Sequence, residues 1–224
     1  MINLIWDIDG TILNTRGLGA APFCEAFTDH TGYPAVIDKK KLSGFTDFEI
    51  ALSLMKDAGL QEDIFLAERI LNSFSKKLER ALSTNPPELL GDIQNTLEHT
   101  EITSDFVNSI GTGNFQAGAI VKLKSAGIFR YFENSKFHVA TSELWDRDAI
   151  IGSAAKANKE FQNLVIGDSP RDILSARNSG LPVLAISTGQ HSFEELHDLH
   201  PDYVLDRFWS LRDFLRVIDQ FKSA

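Results

Sequence analysis

Cysteine is nearly absent: Cys24 is the only one in 224 residues. A single thiol forms no internal disulfide and no cysteine metal cluster, and this one lies in an apolar helical run where packing is its ordinary role. Histidine is scarce as well, six in all. Of these, His191, His197 and His200 follow a surface-helix pattern without partners at metal-ligand spacing. No apolar run approaches the roughly 18 residues of a membrane span. Positive charge is in deficit, with a net charge of −9, which argues against nucleic acid or an anionic membrane as partner because both need a basic face. The deficit leaves a small phosphorylated molecule open, since a few local cations suffice there. Internal repeats and low-complexity segments are missing. The N-terminus enters an apolar run within three residues, so no signal peptide is expected and cytoplasm is the expected location. What remains is an ordinary composition, 43% hydrophobic and 24% charged, long enough for one large domain or two small ones.

Against that background one stretch stands out: Leu4-Ile5-Trp6-Asp7-Ile8-Asp9-Gly10-Thr11. Leu4 to Asp7 reads as the end of a buried strand, and Gly10 frees the backbone to turn. Asp7 and Asp9, two apart, point to the same side of an extended segment. Carboxylates forced together repel, so the pair needs a divalent cation or a raised pKa on one member. A strand followed by an Asp-Gly turn is the bland alternative, and partners elsewhere in the chain argue against it.

After this stretch the pattern turns helical. Gly17 to His30 carries Phe23 and Phe27 four apart on one face. Thr31-Gly32-Tyr33-Pro34 is loop chemistry, and Lys39-Lys40-Lys41 a solvated basic run. The glycine loop Leu42-Ser43-Gly44-Phe45-Thr46-Asp47 precedes a helix from Asp47 to Ala58, closed by Gly59. Ile64 to Leu82 is a longer amphipathic helix, and Asn85-Pro86-Pro87 is the best linker in the chain. Leu89 to His99 reads as a further helix.

From Asp105 onward strands and helices alternate. Phe106 to Gly111 is strand-like and runs into Thr112-Gly113-Asn114, with a helix from Phe115 to Ser125. Lys136 to Ala140 is a strand, Asp148 to Lys159 a helix, and Leu164 to Ile166 a buried strand ending at Gly167-Asp168. Pro170 starts the next helix at its first position, and Val183 to Ile186 is a strand. Ser192 with Glu195 makes a capping box, and Tyr203 to Leu205 is a last strand before a C-terminal helix. Alternation of this kind implies a parallel sheet with crossovers. The first strand therefore joins residues 88–224 in one α/β unit, with residues 16–87 inserted as a helical block. Ligands of open α/β sheets bind at the carboxyl ends of the strands, where Asp7, Thr112, Ser142 and Asp168 all fall.

Asp7-Ile8-Asp9-Gly10-Thr11, Thr112-Gly113-Asn114 and Gly167-Asp168-Ser169-Pro170-Arg171-Asp172 together resemble the haloacid dehalogenase-like hydrolase superfamily. More narrowly, they look like its phosphoglycolate-phosphatase-type branch, with a helical cap inserted after the first strand. The resemblance covers essentially the whole chain. It implies an α/β, Rossmann-like parallel-sheet core (residues 1–15 and 88–224) with an inserted all-helical cap (residues 16–87). Phosphomonoester hydrolysis through an aspartyl-phosphate is the implied activity, on a small phosphorylated substrate and with Mg²⁺ as cofactor. A monomer or weak homodimer is expected. By resemblance Asp7 is the nucleophile and Asp9 the general acid and base. The metal ligands are Asp7, the backbone carbonyl of Asp9, and Asp168, with Asp172 a ligand or a support. For Asp168 and Asp172, four apart at a helix start, capping is the competing reading.

The phosphate-holding hydroxyl is contested between Thr112 and Thr141-Ser142. The fold needs a helix, a strand and another helix before Asp168, and Thr112 leaves that room. Gly10, Thr11, Gly113 and Asn114 join it as substrate contacts, with backbone amides holding phosphoryl oxygens. The family's usual lysine upstream of the last motif is missing. Arg147 is the nearest fit for the cation that stabilises charge at phosphorus, with Lys122 and Lys156 as rivals. Ser43-Gly44-Phe45-Thr46-Asp47 matches the place of the cap's substrate loop, with Gly44, Phe45 and Thr46 as its expected contacts and Phe45 where relatives often carry a basic residue. The alternatives are a phosphomutase or a dehalogenase of the same fold, or a non-enzymatic phospho-accepting or binding module. A dehalogenase needs no acid at position 9, a mutase needs a second phosphate site in the cap, and receiver modules are about half this length.

Overall fold

The computed structural model describes residues 1–38, 42, 44–132 and 137–223. The basic run Lys39-Lys40-Lys41, Ser43 of the glycine loop and the expected strand start at Lys136 lie outside the described residues. The chain runs β1 (Ile2–Trp6), β2 (Leu13–Asn14), α1 (Ala20–Thr31), α2 (Asp47–Asp57), α3 (Ile64–Thr84), β3 (Glu88–Leu89), α4 (Ile93–Ile102), β4 (Phe106–Phe115), α5 (Gln116–Ser125) and β5 (Phe137–Ala140). It continues with α6 (Arg147–Ala157), β6 (Gln162–Gly167), α7 (Pro170–Asn178), β7 (Val183–Ile186), α8 (Phe193–His197), β8 (Tyr203–Leu205) and α9 (Leu211–Ser223). Six strands form a parallel sheet in the order β5-β4-β1-β6-β7-β8. Helices on the faces of such a sheet bury its strands, which is why β1 and β7 are buried at every residue. Among the described residues no helix is long and apolar enough to cross a membrane.

β1 is central, pairing with β4 on one side and β6 on the other. Trp6 at its end is fully buried, stacks on Phe214 of α9 at 5.8 Å and donates its ring N–H to Asn108. Phe214, Val217, Ile218 and Phe221 form the buried stripe of α9, the i, i+3, i+4, i+7 pattern of a helix lying on a core. The α1–α3 block has its own apolar cluster, including Phe23, Phe27, Phe48 and Phe74. That cluster continues onto Phe115, Ala140 and Ile150 of the α/β part, so the block packs down on the carboxyl edge of the sheet.

Four of the boundaries that differ from the sequence reading have a clear local reason. α1 starts at Ala20, because Gly17 takes a left-handed φ of 82° and Gly19 is the N-cap. The helix expected from Leu89 starts at Ile93. Pro86 and Pro87 favour extended chain before it, and Glu88–Leu89 pairs antiparallel with Leu13–Asn14. That ladder ties together the two ends of the inserted block. The strand expected to stop at Gly111 runs to Phe115 and absorbs Thr112-Gly113-Asn114. Gly111 faces His138 and Phe115 faces Ala140, so four steps on β4 match two on β5. Such a bulge re-aims side chains where the ladder is interrupted. Lastly, the helix expected over Asp148 to Lys159 is shifted toward the N-terminus because Asp146 caps it, accepting the Ala149 N–H.

Arg171, at the start of α7, pins the block. It donates to Glu49 at 2.7 Å and to the Gly44 carbonyl at 3.4 Å, and it lies over the Phe45 ring at 4.1 Å. The same Glu49 oxygen accepts the Thr46 N–H in the α2 capping box. Arg171 is about one-third exposed, so the contact is discounted for solvent. Arg171→Met is expected to cost about 1 kcal/mol, a fall of roughly 2–4 °C in Tm. Amide exchange at Phe45–Asp47 should quicken; unchanged Tm and exchange would refute the pin.

Candidate active site

The carboxyl ends of β1, β4 and β6 open into one cavity of about 450 Å³ between the sheet and the helical block. Asp7, Asp9, Gly10, Gly113, Asn114, Arg147 and Asp168 lie on its wall. Asp7 directly continues β1, its N–H donating to the Ile166 carbonyl at 2.9 Å. Gly10 turns the chain at φ 84°, and a Cβ there would overlap the Asp168 carboxylate. Asp168 follows β6 and accepts the Thr11 hydroxyl at 3.0 Å. Asp172 caps α7, accepting from the Ser169 N–H at 3.0 Å and hydroxyl at 2.7 Å. It also pairs with Arg147. Capping and site membership therefore coexist in Asp172.

Asp7, Asp168 and Asp172 are buried, and one carboxylate oxygen from each lies within 4.8 Å of the others. Arg147 meets this group. It pairs with Asp172, and its Nη2 stands 3.0 Å from Asp7 Oδ1. No N–H is aligned on that oxygen, which is left without a hydrogen-bond donor. One guanidinium against three buried carboxylates leaves negative charge uncompensated. Burial pushes the Asp7 carboxyl up to about 6 against the pull of Arg147, with Asp172 and Asp9 adding to the rise. Burial and the Asp172 charge likewise raise Asp168 well above the usual carboxylate range. Burial works against the charge on Arg147, but Asp172 and Asp7 outweigh it and its pKa is raised. An orphaned oxygen in a hard, anionic donor set fits a divalent cation held by carboxylates.

A second polar group faces Asp9. Its carboxylate accepts from Lys122 at 2.5 Å and from Asn114 at 2.8 Å. Asn114 also accepts from Lys122 and donates to the Thr112 hydroxyl at 3.1 Å. Lys122 is buried, and although burial opposes its charge, Asp9 and Asp47 raise its pKa. Thr112 is fully buried, and its hydroxyl draws the Asp7 carboxyl downward while accepting from Asn114, which places it between the two groups.

The contested positions separate cleanly. Thr112 lies on β4, next to β1, whereas Thr141 follows β5, one strand farther out, and its hydroxyl accepts the Leu144 N–H within its own loop. Neither Ser142 nor the fully buried Thr112 is on the cavity wall, so Thr112 differs from Ser142 by lying behind Asp7 and Asn114. Arg147 and Lys122 are in the site, and Lys156 is exposed on α6. Gly44 and Phe45 line the cavity. Thr11 and Thr46, expected among the substrate contacts, face elsewhere: Thr11 holds Asp168, and Thr46 caps α2 by accepting the Glu49 N–H.

Three neighbours escaped the sequence reading as site residues. Asp47, in the first turn of α2, reaches the cavity and accepts the Phe115 N–H at 2.7 Å. Burial lifts its carboxyl to about 6, against Lys122. Thr188 donates to the Gly10 carbonyl at 2.6 Å, and Gly189 lies against Asp168. The signal for the last two was present, since Ser187-Thr188-Gly189 follows a buried strand at its carboxyl end. A Cβ on Gly189 would overlap Asp168 Oδ2. Gly189→Ala is therefore expected to cost about 2 kcal/mol through overpacking, lowering Tm by roughly 4–8 °C. A melting curve matching wild type would refute that packing.

The chain is similar to known proteins over nearly its whole length. A family model described as haloacid dehalogenase-like hydrolase matches residues 4–186. A Clostridium perfringens protein with the provisional name pyrophosphatase PpaX is 23% identical over 226 residues, 96% of this chain and 98% of that protein. A phosphoglycolate phosphatase of Vibrio parahaemolyticus is 24% identical over 233 residues, 96% of this chain and 95% of its own length. Among solved structures, a hydrolase from Pseudomonas syringae superposes with a TM-score of 0.70 at 21% identity, covering 98% of this chain and 99% of that one. That last likeness concerns the fold.

Proposed function

Since the chain belongs to the haloacid dehalogenase-like hydrolases, we propose that it is a Mg²⁺-dependent phosphomonoesterase that works through a phosphoaspartate at Asp7. The observation that carries this reading is the buried Asp7, Asp168 and Asp172 group with an oxygen of Asp7 lacking a donor. Mg²⁺ would be held by Asp7, Asp168 and the Asp9 carbonyl, with Asp172 as support. Bound there it would screen the approach of one anion to another.

An Asp7 oxygen attacks phosphorus, forming an O–P bond as the ester P–O bond breaks. Asp9 gives its proton to the departing oxygen and afterwards takes one from the water that attacks the phosphoaspartate. That second step frees phosphate and restores Asp7. Arg147 and Thr112 orient Asp7, and Arg147 meets charge at phosphorus, with Gly113 and Asn114 completing the phosphate contacts. Lys122 and Asn114 hold Asp9 toward the reacting oxygen. Residues 16–87 serve as a lid hinged at 14–17 and 85–87. In support, Arg16 and Gly17 both have positive φ at one hinge.

The test is phosphate release from p-nitrophenyl phosphate with Mg²⁺ and with EDTA, followed by acid quenching and mapping of the phosphorylated residue. Mg²⁺-dependent release with transient label on Asp7 is expected. No release by folded protein, or label persisting for minutes, would overturn the reading and favour a phospho-accepting module.

A further inference from the structure

We infer that the ester this site cleaves carries an apolar, ring-sized alcohol with no second anionic group, a substrate class that rests on the phosphomonoesterase reading above. The floor of the cavity holds the carboxylates, so the alcohol must occupy the space toward the helical block. There the wall includes Phe23, Ile37, Leu42, Phe45, Ile50 and Phe74, with the rings of Phe23 and Phe74 packed at a 47° tilt, centres 4.8 Å apart. A ring entering this space is desolvated against like surface, which is favourable. A carboxylate or phosphate entering it would lose its water to apolar walls.

Charge points the same way. Asp47 is the acid the helical block adds to this wall, and its Oδ2 is already taken by the Phe115 N–H. A second anion on the substrate would stand near that buried carboxylate. Among the described residues, the cations that border the cavity are already paired. Lys122 is held by Asp9 and Asn114, and Arg147 by Asp7 and Asp172. Arg16 at the mouth pairs with Glu88 at 3.2 Å, and behind Phe45 lies Arg171, bound to Glu49. Reaching an anionic alcohol would draw one of these cations from a partner, at little cost for the exposed Arg16 pair and at a larger one for the buried Lys122 and Arg147, and specificity follows from the latter. The names of the two relatives, phosphoglycolate phosphatase and pyrophosphatase, denote substrates whose leaving group is itself anionic. This wall departs from such a need.

Benzyl phosphate and 2-phosphoglycolate decide the matter, because both are esters of primary alcohols and differ chiefly in ring against carboxylate. With Mg²⁺, kcat/KM for benzyl phosphate is expected to exceed that for 2-phosphoglycolate and for pyrophosphate at least tenfold. Ile50→Arg places a cation on the α2 wall and is expected to shrink that ratio, mainly by lowering KM for 2-phosphoglycolate. A wild-type ratio below ten overturns the inference whether or not the variant folds. A low ratio with p-nitrophenyl phosphate still hydrolysed defeats the substrate class alone, whereas hydrolysis of no ester defeats the phosphatase reading.

Discussion

Asp7→Asn is expected to lower kcat by at least about 10⁴-fold while the protein stays folded, the scale on which enzymes lose rate when a nucleophile is removed. The amide has the shape of the carboxylate, so contacts with Thr112 and Arg147 persist while the attacking oxygen loses its charge. Four decades correspond to about 5.5 kcal/mol of transition-state stabilisation, more than surface contacts or a repacked wall supply. Folding should not suffer, because in wild type the Asp7 carboxyl is held at about 6 by burial and the neutral amide avoids that cost. KM should stay level or fall, since one anion facing the phosphate is gone. Asp9→Asn makes a sharper comparison. An acid that protonates the leaving oxygen matters most when that oxygen is basic, so the loss should be larger for an alkyl phosphate than for p-nitrophenyl phosphate. Residual Asp7→Asn activity above about 1% of wild type, well short of the loss expected on removing a nucleophile, would remove Asp7 from the nucleophile's place. Equal losses for both esters would remove Asp9 from the acid's.

How far the site was readable follows from the range of each interaction. Asp7 was readable because a carboxylate after a buried strand with a turn glycine close behind is a local pattern, Asp168 because it joins a buried strand to a Ser-Pro helix start, and strand ends in a parallel sheet converge. Arg147 was readable only by its place before the last motif, and its pairing with Asp7 and Asp172 needed the fold. The ammonium of Lys122 meets Asp9 across 113 residues, a distance at which periodicity carries no information. Asp47 has the local signature of a helix first turn, and that ordinary role hid its second one, the Phe115 N–H 68 residues away. In the fold, the alternation of strand and helix gave every strand of the parallel sheet. The β2–β3 pair has two residues per strand, too few for a period to show. The bulge in β4 was hidden for a related reason, since Thr112-Gly113-Asn114 has turn chemistry and only its pairing with β5 keeps it in the sheet.

Stability should respond to pH and metal in opposite senses, the second large effect. In metal-free protein the Asp7 and Asp47 carboxyls rise from 3.8 to about 6, and Asp168 rises in the same direction. At pH 5 the folded chain therefore keeps protons that the unfolded chain has released. The folded state binds more protons, so its stability falls as pH rises from about 4 through about 6 and levels off above. Between pH 5 and 7.5 roughly one pH unit lies below the titration of each group, on the order of 1–2 kcal/mol apiece. Asp7 and Asp47 together then account for about 3 kcal/mol, or some 6–12 °C in Tm for a chain of this size. Mg²⁺ requires its carboxylates ionised, so it should stabilise strongly at pH 7.5 and hardly at pH 5. At one hundred times its Kd the gain is about 2.7 kcal/mol, enough to cancel most of the metal-free slope. Asp47 stands outside the metal group, so its share of the slope should survive in Mg²⁺ and vanish in Asp47→Asn. Calorimetric melting at both pH values, with EDTA and with saturating Mg²⁺, reads all four quantities. A metal-free protein more stable at pH 7.5 than at pH 5 would mean these carboxyls are not held neutral by burial. Mg²⁺ without effect at pH 7.5 would mean that Asp7, Asp168 and Asp172 do not hold the ion.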